Sequence, residues 1–218
     1  MRNKGSLLKE LPVLVVVALV VSLLIKTFLV QFFYIPSGSM ENTLQVKDRV
    51  AVNKLPFLSK DINRGDVVVF RDPDNWLPQI TDYGTNKYVA KAKGALVAVG
   101  VLPNPAKQYL VKRVVGVAGD HIVCCTKSGN LTINDVEVTE PYIFDGNKPS
   151  EMTFDVTVPK GKLWVMGDHR SASADSRYHQ EDINKGFVPL SRVTGRVVAI
   201  IWPFKNITYV PKVDALKK

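Results

Sequence analysis

Cysteine and histidine are scarce in this 218-residue chain, which has two of the first and three of the second. The cysteines, Cys124 and Cys125, are adjacent. A trans peptide holds neighbouring Cα atoms only about 3.8 Å apart, so a bridge between them would be strained. They are expected to be structural thiols in a strand-like segment. Two cysteines do not make a zinc site alone, and His121, His169 and His179 show no ligand spacing. No metal and no other cofactor is expected. The formal net charge is +9, yet no long basic block and no basic run interleaved with aromatics occurs. Nucleic acid is therefore not an expected partner. Scattered positive charge, with small clusters at both termini, suits anionic lipid headgroups at least as well. No internal repeat or low-complexity tract is visible.

What the chain does have is one long apolar run. From Leu11 it reads LPVLVVVALVVSLLIKTFLVQFFYI, interrupted only by Lys26 and Gln31 before Pro36. About 20 apolar residues cross a hydrocarbon core as a helix, whereas a cleaved signal peptide has an apolar region of only about 7 to 15. Lys26 lies near the far end, where its stem can snorkel. Arg2, Lys4 and Lys9 outweigh Glu10 on the near side and place it in the cytoplasm. The expected layout is a cytoplasmic N-terminus (1–10), a single-pass transmembrane helix (11–34) and an extracytoplasmic domain (35–218). Phe32, Phe33 and Tyr34 would form an aromatic belt. A competing reading takes Ser37 and Ser39, small residues two apart, as a cleavage site.

The outer part is rich in short valine runs. Residues 48–55, 65–73, 108–124, 131–135, 162–168 and 196–204 read as strands separated by Gly-Asp and Asn-Asp turns. Residues 86–105, rich in alanine and lysine, read as a short inserted helix, lying on lipid or packed on the sheet. The fold class is mostly β: an antiparallel sheet domain with long loops behind one N-terminal helix.

A serine hydroxyl needs a base before it can attack. His169, with Asp168, Asp175 and Asp182 near in sequence, could form a triad, though nothing fixes that geometry. The other route is a lysine kept neutral by burial. Lys112 in YLVKRVVGV fits, and alternation puts Lys112 and Arg113 on opposite faces, so that one of them points inward. Taken alone, Lys112 reads more readily as facing water on a one-sided sheet. The run MGDHRSASADSRYH, 166–179, offers Asp175 and Arg177 as a charge-assisted brace and Ser173 as a spare hydroxyl. It also reads as a solvated turn.

Together and in order these segments resemble the type I signal peptidases, membrane-bound Ser–Lys endopeptidases. PSGSMENTL (36–44) is similar to the family's P-S-x-S-M-x-P-T-L, and RGDVVVF (64–70), YLVKRVVGVAGD (109–120) and GDHRSASADSR (167–177) are similar to its later boxes. The resemblance implies Ser39 as nucleophile and Lys112 as general base. It implies Ser37 and the Ser39 N–H as oxyanion hole, and Ser173 as the residue orienting Lys112. Asp175 and Arg177 would support the site, and Met40 would shield it. It implies preproteins with A-x-A-type signal peptides as substrates, membrane lipid as a partner and a monomer. Asn42 stands in place of a usual proline, His169 and Ala172 in place of common asparagines, and Ala118 in place of a frequent proline; residues 178–185 form a further insertion. The rival readings are a Ser–Lys autopeptidase of the SOS-repressor type, a membrane-anchored binding or envelope-assembly protein without catalysis, and a homologue that has lost catalysis.

Overall fold

The computed structural model describes residues 4–55, 61–78, 108–211 and 213, without the side chains of 4–9 and 23–28. The segment 86–105, expected as an inserted helix, lies outside them.

The apolar run begins as one helix, α1 (Lys4–Phe28). Its side chains over 10–22 are exposed all round, for example Leu11, Val13 and Leu19. Among the described residues no helix is long and apolar enough to cross a membrane. The expected helix over 11–34 is also corrected at its end. Residues Val30–Tyr34 form strand β1, paired from Val30↔Asn53 to Tyr34↔Arg49 with β2 (Arg49–Asn53). The sheet captures the backbone there, and Lys54 N–H donates to the Leu29 carbonyl at 2.9 Å. Strand alternation then splits the expected aromatic belt. Phe32 and Tyr34 face out, while Phe33 packs edge-on against Tyr109 at 5.0 Å.

Ten more strands follow: β3 (Val67–Arg71), β4 (Tyr109–Gly116), β5 (His121–Cys124), β6 (Leu131–Ile133), β7 (Val136–Glu137), β8 (Phe154–Thr157), β9 (Lys162–Met166), β10 (Val188–Pro189), β11 (Val193–Trp202) and β12 (Thr208–Tyr209). The larger, eight-stranded sheet runs β1-β2-β11-β3-β4-β9-β10, with β12 on β11; the smaller, four-stranded one runs β7-β6-β5-β8. Every pairing is antiparallel. The run 108–124, read as one strand, is two strands in different sheets. The chain turns between them at Gly119, whose φ of 91° suits glycine.

The valine runs are explained by burial on both faces. Val68 and Phe70 pack with Leu110, Val114 and Val165, while Val67 and Val69 pack with Met40, Leu44 and Val52. A third cluster joins the two sheets through Ile122, Leu131, Phe154, Trp164 and Met166. Cys124 and Cys125 depart from expectation: they are disulfide-bonded to each other, and Cys124 is buried in this third cluster. No separate thiol remains.

Candidate active site

Ser39 is placed by a tight turn whose foundations are apolar. Glu41 N–H donates to the Gly38 carbonyl at 3.0 Å, and Thr43 and Leu44 N–H donate to that of Met40 at 3.1 and 2.7 Å. Met40 and Leu44, four apart, sink into the sheet core. The turn is thereby seated and Ser39, 8% exposed, is held at the rim. Ser37 stays exposed beside it.

Opposite lies β4. Lys112 is 4% exposed, and its Nζ donates to Ser39 Oγ at 2.5 Å. Burial pushes its pKa down from 10.5 to about 8, against the pull of the Asp175 and Asp168 carboxylates and with help from the Arg177 guanidinium. The solvent-facing reading of Lys112 does not hold. Of the two neighbours, one of which was expected to point inward, both are buried, with Arg113 1% exposed.

Both neighbours are buried because the last box supplies partners. Arg113 is bidentate to Asp168, at 2.8 and 2.6 Å, and also donates to the Gly65 carbonyl and to Thr43 Oγ1. Arg177 grips Asp175 at 2.8 and 2.9 Å. Arg170 grips Glu140 at 2.9 and 2.5 Å. Each of these side chains is at most 1% exposed. Tyr142 sits among them, its ring 4.2 Å from the Arg113 guanidinium and its hydroxyl donating to Glu140. Burial and then the Glu140 charge push the Tyr142 pKa well up, so it stays a neutral donor. Burial works against the Arg170 charge, but Glu140 more than offsets it and the guanidinium pKa rises.

The expected brace of Asp175 and Arg177 is therefore present. Asp175 also accepts from Gly167 N–H at 2.9 Å and from Ser173 Oγ at 2.7 Å. The Ser173 hydroxyl thus donates to Asp175. Gly167 lies between Ser39 and Ser173, and a methyl group there would overlap Ser173 Oγ and the Ser39 carbonyl oxygen.

His169 is engaged elsewhere. Its Nδ1 faces Glu41 Oε2 at 2.9 Å and its ring stacks on Phe144 at 4.1 Å. Its backbone meets the turn as well, as N–H donates to the Ser39 carbonyl at 3.2 Å. The triad alternative has no support in this arrangement. Among the described residues no cluster could hold a metal ion.

Sequence reading missed Thr43, Arg113, Glu140, Tyr142, Gly167 and Arg170 as parts of the site. Arg113 and Asp168 carried a signal in their neighbourhood to Lys112 and Asp175. Glu140 carried none. Breaking a buried pair strands a charge and costs about 3–5 kcal/mol. Arg170→Met is therefore expected to lower stability by about that much in a urea or thermal melt. Glu140→Leu added to it should recover a large part. A single variant that melts like wild type would overturn the ion-pair platform.

The site can thus bring a buried hydroxyl against a buried amine whose pKa is lowered to about 8. The model of the family "Signal peptidase, peptidase S26" matches residues 8–202. A probable signal peptidase I of Mycobacterium leprae is 36% identical over 92% of this chain and 78% of that protein. The signal peptidase I of Mycobacterium tuberculosis is 37% identical over 92% and 74%. That of Bacillus licheniformis is 30% identical over 94% of both. A solved signal peptidase I from Enterococcus faecalis aligns at a TM-score of 0.38, with 22% identity over 62% of this chain and 95% of that one. An envelope-assembly role without catalysis is set aside by these matches, and the chain belongs to the signal peptidase family, peptidase S26, as a serine endopeptidase.

Proposed function

We propose that this chain removes A-x-A-type signal peptides from secreted preproteins through a Ser39–Lys112 dyad at a membrane surface. The observation that carries the reading is the 2.5 Å contact between two buried groups, Lys112 Nζ and Ser39 Oγ. With Lys112 neutral the contact reverses and the hydroxyl donates to the amine. Ser39 Oγ attacks the scissile carbonyl carbon as Nζ takes its proton. The Ser37 hydroxyl and the Ser39 N–H receive the developing oxyanion. Lys112 returns the proton to the leaving amine, then draws one from the water that hydrolyses the acyl-enzyme. Met40 closes the site from below, and Ser173, Asp175 and Arg177 hold the wall beside Lys112. The preprotein lies extended against a strand edge, with small side chains at two positions before the cut.

Membrane association is supported by exposed apolar surface. The α1 helix is apolar and exposed all round over 11–21. Tyr34, Arg49 and Trp202 share one row across β1, β2 and β11, and Phe204, Ile207 and Tyr209 are exposed beyond it. An aromatic surface of this kind suits the headgroup level.

A titrating lysine sets the pH profile. The general base is the neutral amine, so kcat/KM is expected to rise with pH and level off above about 8. The same shift opposes stability at low pH. Between about 8 and 10.5 the unfolded chain binds the proton that the folded chain has lost, so stability rises across that window. Detergent-extracted membranes, incubated with a labelled precursor from pH 6 to 10, test both parts. A flat profile would remove the lysine base, and activity confined to the soluble fraction would remove the membrane.

A further inference from the structure

The nucleophile turn is fastened at several points to two distant places, the loop at 142–144 and the segment at 168–169. Asn42 Nδ2 donates to the carbonyls of both Tyr142 and Ile143, at 3.2 Å each. Thr43 Oγ1 donates to Asp168 Oδ2. Glu41 reaches His169, whose ring lies on Phe144. Glu41 can do so because Gly38 has no side chain: a Cβ there would lie 2.8 Å from the Glu41 carboxyl carbon. The receiving loop is itself rigid. Tyr142 is buried against Arg113, Ile143 N–H donates to the Glu140 carbonyl, and Phe144 N–H donates to that of Asp168.

Of these ties the Glu41–His169 pair is partly exposed, at 28% and 18%, and such pairs contribute little. Asn42 is exposed as well, but its amide donates twice into one segment. It uses both of its hydrogens and stands between the serine and the loop. Its backbone has φ 86°, a left-handed conformation that asparagine tolerates and that proline, locked near −65°, does not reach. Stiffness at this position therefore comes from the side chain's reach across the fold.

We infer that Asn42 is a positioning residue of the dyad: its amide, anchored on the Tyr142 and Ile143 carbonyls, holds the turn so that Ser39 Oγ meets Lys112. This rests on Ser39 being the nucleophile. The consequence is kinetic. A turn released by a fraction of an ångström still binds substrate but spends less time with Oγ in line.

Asn42→Gly isolates the amide, since glycine adopts the same φ freely. Asn42→Asp keeps the shape but presents acceptors to the two carbonyls. Purified full-length variants in detergent are assayed with a labelled precursor for kcat and KM, alongside a thermal melt and Ser39→Ala. Both variants are expected to lose about 10- to 100-fold in kcat, with KM nearly unchanged. The melting temperature of Asn42→Gly is expected to stay near wild type. A wild-type kcat in Asn42→Gly overturns the inference. So does a loss that appears only in KM, and so does failure of both variants to fold, because the amide would then hold the fold and not the serine. If one variant alone fails to fold, the other decides. Cleavage by Ser39→Ala would refute the dyad itself, whichever way the Asn42 variants behave.

Discussion

Lys112→Ala is expected to abolish precursor cleavage, with a fall in kcat of about 10⁴-fold or more. The size follows from what the side chain does. Lys112 Nζ is the group in contact with Ser39 Oγ, and the alternative base, His169, is engaged by Glu41 and Phe144. Among the described residues no second amine or imidazole is hydrogen-bonded to Ser39 Oγ. Ser39→Ala should fall as far, and the double variant should fall no further, because a nucleophile and its base act as a unit. Lys112→Ala also removes the buried amine, which is an unfavourable charge below pH 8, so the variant should melt no earlier than wild type in neutral buffer. His169→Ala should keep most of the activity. Initial rates on a labelled precursor check all of these. An active Lys112→Ala beside an inactive His169→Ala would replace the dyad by a histidine mechanism.

Gly167→Ala is expected to cost about 100-fold in kcat/KM, more than a single methyl group usually does. The methyl would meet Ser173 Oγ and the Ser39 carbonyl, and neither can withdraw. Ser173 Oγ is held by Asp175, and the Ser39 carbonyl accepts from His169 N–H. Gly167 is tied on its own two sides as well, its N–H to Asp175 and its carbonyl to Arg170 Nε, each at 2.9 Å. The strain must therefore move the nucleophile turn away from β9. Overpacking of this kind costs about 1–3 kcal/mol of stability, and a 100-fold rate loss is roughly 2.7 kcal/mol, so a melt should show an effect of the same order as the rate does. A rate within threefold (roughly 0.7 kcal/mol) of wild type would mean that the turn has slack that the geometry denies.

Much of the fold was legible because its signals are local. Valine runs broken by Gly-Asp and Asn-Asp pairs mark β2, β3, β4, β6, β9 and β11 in the sequence. The short strands β7, β8, β10 and β12 are not marked, since a few residues carry too little periodicity and are set by their partners. β1 was hidden for another reason. Its residues continue an apolar helix, and only pairing with β2 makes them a strand.

The site divides in the same way. Ser39, Lys112, Asp175 and Arg177 were legible as residue types in a recognisable order. Their environment was not. Alternation along β4 says that Lys112 and Arg113 point opposite ways, but not that both directions are buried. That depends on Asp168 and Glu140 arriving from elsewhere with their arginines satisfied. The Cys124–Cys125 bond was likewise open to two readings that local geometry weighed the other way.

By itself the sequence determined a largely β protein with an apolar N-terminal run, and the chemical groups for a serine peptidase. The tertiary structure alone decided that Lys112 is dry enough to lose its proton near pH 8, that the His169 ring is engaged by Glu41 and Phe144, and that Asn42 reaches across to hold the turn. The physical reason is that a strand or turn is specified by neighbours in the chain, whereas desolvation and charge pairing are properties of whatever surrounds a group in space.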